Sequence, residues 1–176
     1  MLKIPIKTIE TAFDITIKKN YTSVGVDTAS RTGFCLARSL NHTVLFEYSF
    51  LDMSSRNNYH KYNTLIEYIN TNFSDSTING VVIEETFFSR NAKVFQFLSR
   101  IGGIVYAIFY LKKVKDKQFI SAVQSRKALG LPTNKKKVVV HEAFHNLIPK
   151  IKIKDIDIID AIVLALNGLI KKDSLI

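Results

Sequence analysis

The sequence predicts an α/β domain built on a mixed five-stranded sheet flanked by helices. Three observations predict it. Three adjacent strand-like runs come first, and strands alternating with helical stretches follow. The chain has 176 residues, the size of one compact domain. Hydrophobic residues make up 47% of it, enough to fill a core and to exclude global disorder.

The elements can be taken in order. Residues 1–20 precede the first clear strand and form an extension of unknown role; residues 21–176 form the domain. In the extension Ile9, Phe13 and Ile17 keep a helical spacing while Ile15 and Ile17 alternate as in a strand, so periodicity supports both. Ser23 to Asp27 is an apolar run ending in a carboxylate, and Thr28 to Thr32 is a turn. Gly33 to Arg38 and Thr43 to Phe50 read as two further strands joined by Leu40-Asn41-His42. Tyr59 to Phe73 has helical spacing, with Tyr62, Leu65, Ile66 and Ile69 on one face. Gly80 to Glu84 is a fourth strand, again ending in acid. The helix from Asn91 to Lys113 is apolar almost all round, so one side is expected on the sheet and another on a second subunit. Gln118 to Ser121 is the fifth strand. Helices are expected near Ser125–Leu129 and Lys135–Leu147, and a last one from about Asp157 to Lys171, with lysines in its final turn.

Charge and cysteine content narrow the function. Twenty-five Lys and Arg against fifteen Asp and Glu give a formal charge of +10, which points to a polyanion and to nucleic acid as the default. The one cysteine, Cys35, excludes an internal disulfide and a multi-cysteine zinc site, and a reducing compartment fits. Glu10 and Asp14 argue against a secretory signal. The most apolar stretch, Ile101 to Leu111, reads as too short to span a bilayer, so no membrane partner is expected.

Four acids stand out by position. Asp27 and Glu84 each end an apolar strand, where a carboxylate is costly unless paired or metal-bound. Asp157 and Asp160 open the last helix at an i,i+3 spacing that shares a face. If the strands of Asp27 and Glu84 are neighbours, all four meet at one sheet edge. Such acids repel unless a cation is present. Hard Mg²⁺ prefers carboxylate oxygen, and two Mg²⁺ ions (Mn²⁺ able to substitute) would hydrolyse a phosphodiester. Singly, Asp27 also reads as a turn residue, and Asp157 and Asp160 as helix-dipole partners.

Three segments resemble the RuvC-type Holliday-junction resolvases of the RNase H-like superfamily. Val24-Gly25-Val26-Asp27-Thr28-Ala29-Ser30-Arg31-Thr32-Gly33 is similar to that family's opening segment. Val82-Ile83-Glu84-Glu85-Thr86-Phe87-Phe88 is similar to its second, and Asp157-Ile158-Ile159-Asp160-Ala161 to its closing D-x-x-D-A. The resemblance implies a homodimer, here through the helix 91–113, that cuts branched four-way DNA symmetrically with Mg²⁺. It maps the family's acids onto Asp27, Glu84, Asp157 and Asp160, and its basic residues near the scissile phosphate onto Arg126 and Lys137. Lys127, Lys135 and Lys136 would share the phosphate role. In the loop Glu85 to Arg90, Phe87 would stack on an unpaired base and Arg90 would bind DNA; the other reading tucks Phe87 and Phe88 into the core as a lid. The expected location is the cytoplasm of a bacterial or phage-infected cell, or an organellar nucleoid. Glu85 is an alternative to Glu84, and Gly102 stands where the family has an arginine.

Three other functions compete. An RNase H acting on RNA–DNA hybrids and a non-catalytic nucleic-acid binding protein would both use this fold. His141-Glu142-Ala143-Phe144-His145 matches the H-E-x-x-H zinc protease pattern, though that reading explains neither the charge nor the strand-end acids. Otherwise this helix turns Val140, Phe144 and Leu147 inward and leaves both histidines near the surface and dispensable.

Overall fold

The computed structural model describes residues 1–53, 57–74, 77–87 and 91–171. The chain runs β1 (Leu2–Pro5), α1 (Ile6–Phe13), β2 (Tyr21–Asp27), β3 (Arg31–Leu40), β4 (Thr43–Asp52), α2 (Asn58–Asn72), β5 (Gly80–Glu84), α3 (Ala92–Leu111), β6 (Asp116–Ile120), α4 (Ala122–Lys127), α5 (Lys137–Leu147) and α6 (Ile156–Leu169). One mixed sheet has the order β1-β4-β3-β2-β5-β6. Strands β2, β3 and β4 form an antiparallel meander, while β5 and β6 add parallel to β2. The sheet therefore has six strands, one more than expected. The extra strand comes from the N-terminal extension, where Leu2 to Pro5 pair with Phe46 to Thr43. Four residues are too few for a periodicity signal, and pairing along the edge of β4 decides their state.

Each face of the sheet carries its own core. Helices α2 and α3 cover one, with Phe34, Val24, Val26 and Ile83 meeting Leu65, Ile69, Ile101, Val105 and Phe109. The other is filled by α6, with α1 and α5 beside it. Every residue of α6 from Ile158 to Leu169 is buried, which accounts for its unbroken apolar run. It ends at Leu169, so Lys171 lies past its last turn. In α1, Ile6, Ile9 and Phe13 face inward, and Phe13 stacks on Phe144 of α5 at 5.7 Å.

Two glycines set how closely α6 approaches. A Cβ at Gly25 would lie 2.1 Å from the Ala161 carbonyl oxygen and 2.3 Å from the Ala165 nitrogen. A Cβ at Gly33 would lie 2.3 Å from the Asp157 carbonyl oxygen. Helix backbone thus rests directly on strand backbone, which no other residue permits. Asp155 caps the helix, its side chain accepting from the amides of Asp157 and Ile158. The cap and the glycines together fix where Asp157 and Asp160 sit.

Helix α3 is, over its full length of 20 residues, long and apolar enough to cross a membrane by length and composition; the shorter stretch 101–111 had understated it. Ile101, Val105, Ile108 and Phe109 pack onto the sheet and α2. Its other side exposes Val94, Tyr110 and Leu111.

Candidate active site

The parallel pairing of β2 with β5 puts Val26 opposite Ile83, so Asp27 and Glu84, one step on, end side by side. Thr28 ties the two strand ends by donating from Oγ1 to the Glu84 carbonyl at 3.3 Å. Asp27 is buried and shares a hydrogen bond with the Glu84 side chain. Burial pushes its carboxyl well above the usual range; the charge of Glu84 adds to this, and Lys137 opposes it. Glu85 faces solvent while its amide bonds to the Ile120 carbonyl, so Glu84 is the member of the pair that meets Asp27.

Asp160 approaches from α6, and α5 meets it from across the site. Lys137 Nζ lies 2.7 Å from Asp160 Oδ2 and 3.8 Å from Asp27 Oδ2. His141 Nε2 is 3.3 Å from Asp160 Oδ1, and Arg126 Nη2 is 3.9 Å from the same oxygen. Burial alone would raise the Asp160 carboxyl, but the His141 hydrogen bond and the Lys137 charge bring it below its ordinary value. The two carboxyls are thus pushed in opposite directions, Asp27 toward its neutral form and Asp160 toward its anion.

Asp157 sits apart. Arg31, at the start of β3, reaches Asp157 Oδ2 at 3.3 Å and Asp155 Oδ2 at 2.6 Å, and its guanidinium lies 3.6 Å over the Phe50 ring. The Arg31 hydrogen bond holds Asp155 below the ordinary carboxylate range. Arg31 was not singled out in the sequence; its partners lie far along the chain and meet it only through the β3–α6 contact.

The structure therefore brings together Asp27, Glu84, Asp160 and Lys137, with Asp157 one turn away on the same helix. Arg126 is buried against Asp160. Lys127, Lys135 and Lys136 are exposed nearby in sequence to Lys137. Phe87 is 70% exposed, which removes the lid reading for it. Arg90 and Phe88 lie outside the described residues.

His141 corrects an expectation. It is buried and turned to Asp160, not near the surface, while Leu147 is exposed. His145 Nδ1 lies 2.7 Å from the Ile151 carbonyl oxygen. The two imidazoles have separate partners and do not converge as a zinc pair. Among the described residues, no three His, Cys, Asp or Glu side chains stand close enough to close around one metal ion. The donor set still suits a hard divalent cation. Asp27 Oδ2 is buried without a hydrogen-bond partner, and a cation held between Asp27 and Glu84 would satisfy it and relieve the repulsion of the two carboxylates.

A mixed sheet flanked by helices, with β5 and β6 added parallel to an antiparallel meander, has the RNase H-like architecture, and its central parallel pair ends in two carboxylates with a third delivered by a helix. A family model described as crossover junction endodeoxyribonuclease RuvC matches residues 23–168. The chain belongs to the RuvC family of junction endonucleases. Among solved structures it is similar to T. thermophilus RuvC in complex with Holliday junction substrate, with a TM-score of 0.63 and 16% identity over 86% of this chain and 98% of that one. A second Thermus thermophilus RuvC structure gives 0.61 and 16%, covering 85% and 98%. The yeast mitochondrial Holliday junction resolvase Ydc2 gives 0.56 and 14%, covering 89% and 82%. At these identities the structural matches show the fold. No curated protein matches by sequence.

Proposed function

We propose that this chain resolves four-way DNA junctions as a homodimer, by Mg²⁺-dependent hydrolysis of one phosphodiester in each of two opposing strands. The observation that carries this is the buried Asp27, paired with the half-buried Glu84 and facing Asp160 and Lys137 at one sheet edge, inside the segment that matches the family. Asp27, Glu84 and Asp160 would hold the cations, with Asp157 beside them; two Mg²⁺ ions would supply an activated water and neutralise the leaving oxygen. Lys137 places a positive charge at the acid cluster, where a phosphate must approach. Lys135 and Lys136 stand at the N-terminal end of α5, whose free amides already favour an anion. Their charges are unfavourable beside one another there, and an incoming phosphate relieves this. The exposed Phe87 offers a stacking face near Glu84.

Support for a dimer comes from α3. Its exposed Leu111 lines an apolar cleft of about 450 Å³ with Ile66, Ile104, Ala107 and Ile108. A two-fold copy covering this surface would set two acid clusters on one branched substrate.

The test is cleavage of end-labelled four-way junction, plain duplex and RNA–DNA hybrid, each with Mg²⁺ and with EDTA. Paired symmetric nicks in the junction alone, and only with Mg²⁺, are expected. Preferential cutting of the hybrid would move the assignment to an RNase H activity, and binding without cutting to a non-catalytic protein.

A further inference from the structure

We propose that His141 is a positioning residue for Asp160, an assignment that rests on Asp160 being a cation ligand. The H-E-x-x-H segment holds no zinc pair, yet its first histidine is buried in the acid cluster. His141 follows Lys137 by one helical turn, so both project from the same face of α5. Between them they hold both oxygens of one carboxylate. Lys137 Nζ is 2.7 Å from Oδ2, the oxygen on the side of Asp27, and His141 Nε2 is 3.3 Å from Oδ1.

The donor is fixed by its partner. A carboxylate that ligates a cation only accepts, so in that role Asp160 Oδ1 requires Nε2 to be the donor of the 3.3 Å contact. That bond stops rotation of the carboxylate about its last torsion, an otherwise broad one. With Oδ1 tied to His141, Oδ2 is left to Lys137 Nζ, which also lies 3.8 Å from Asp27 Oδ2. Arg126, at 3.9 Å from Oδ1, adds charge but is too distant for a hydrogen bond. Among the described residues, His141 is thus the hydrogen-bonding side chain on Oδ1, and it does not compete for Oδ2. Outer hydrogen bonds of this kind to a ligating carboxylate are worth about 10–100-fold in metal affinity.

The experiment uses the full chain and four variants: His141→Leu, His141→Gln, Asp160→Asn and the double variant His141→Leu/Asp160→Asn. Two quantities are read: the Mg²⁺ concentration giving half-maximal junction cleavage, and the rise in melting temperature on adding Mg²⁺ without DNA. His141→Leu is expected to raise the half-maximal Mg²⁺ concentration about 10–100-fold. It should shrink the Mg²⁺-induced melting shift and leave junction affinity in EDTA unchanged. His141→Gln, which keeps an N–H donor, should recover most of both. In the Asp160→Asn background, His141→Leu should change the Mg²⁺-induced shift no further. Wild-type Mg²⁺ dependence in His141→Leu, with Asp160→Asn inactive, overturns the inference while the metal site stands. Full cleavage by Asp160→Asn overturns the metal reading itself. Should His141→Leu fail to fold, His141→Gln decides. Loss in His141→Gln of the Mg²⁺-induced shift, with an unchanged melting temperature in EDTA, overturns the donor argument; retention of the shift supports it.

Discussion

At the scale of single residues, Asp27 has two burdens: it is nearly inaccessible to water, and a second carboxylate touches it. Its folded-state pKa therefore stands above the ordinary 3.8, so the folded protein binds a proton that the unfolded chain releases. Stability from this group is complete below the unfolded value and falls as pH rises toward the folded one. Asp27→Asn removes that loss. In EDTA its melting temperature should exceed that of wild type across about pH 5 to 8, and the two should converge near pH 4, as scanning calorimetry would show. With Mg²⁺ the order should reverse, because only wild type gains from binding, by about 2.7 kcal/mol at a hundredfold excess over Kd. Asp27→Asn should cut no junction yet bind it normally, since affinity rests on phosphate contacts. Phe87 offers a second check. Phe87→Ala should cut an intact junction poorly and recover on one with a mismatched, open centre; equal loss on both would refute stacking, worth about 1–3 kcal/mol. Asp27, Glu84 and Asp160 were legible because acids that end or interrupt apolar runs are costly. His141 had a readable signal, its one-turn spacing from Lys137, which the H-E-x-x-H pattern obscured. Arg31 had none, since its value lies in partners more than a hundred residues away.

Among the elements, α6 does most to build the site, and it does so through the absence of side chains beneath it. Gly25→Ala places a methyl group against helix backbone at 2.1 Å, which no rotamer change relieves. Overpacking costs about 1–3 kcal/mol where side chains can shift, and backbone contact puts this substitution at or beyond the upper end. A urea titration should show the lower midpoint. Cleavage measured where the variant is still fully folded should fall further, because lifting α6 carries Asp160 away from Asp27. Strands β2 to β5 and helices α2, α3 and α6 were readable from long apolar runs of one period. Residues 1–20 were not: a four-residue edge strand and an eight-residue helix carry too little pattern, and contacts with β4 and Phe144 determine them. Between α4 and α5 the chain supplies charge rather than periodicity, so the start of α5 falls at Lys137 instead of Lys135.

For the whole molecule, the question is what covers α3. Ala107 is exposed at the centre of its outer face, beside Ile104 and Leu111. Ala107→Glu puts a charge into the proposed two-fold contact at no expense to the internal core. Light scattering should then report a mass near the 20.0 kDa of one chain, in place of twice that for wild type. Junction cleavage should fall to unpaired single nicks. A wild-type protein that is monomeric at micromolar concentration and still cuts symmetrically would dismiss the interface.

The burial of α6 also bears on when the nuclease comes into being. It is the last helix described, yet it supplies the filling for a face whose strands are made long before it. A growing chain can pair β2, β3 and β4 and still have nothing to lay against Gly25 and Gly33. During synthesis the emerging sheet is thus an unfinished surface, exposed to the misassembly that threatens partly folded domains. Asp157 and Asp160 arrive only when this surface closes. The acid set is completed by the same event that completes the fold, so under the proposed function a nascent or truncated chain would lack the means to cut DNA, however well it held it.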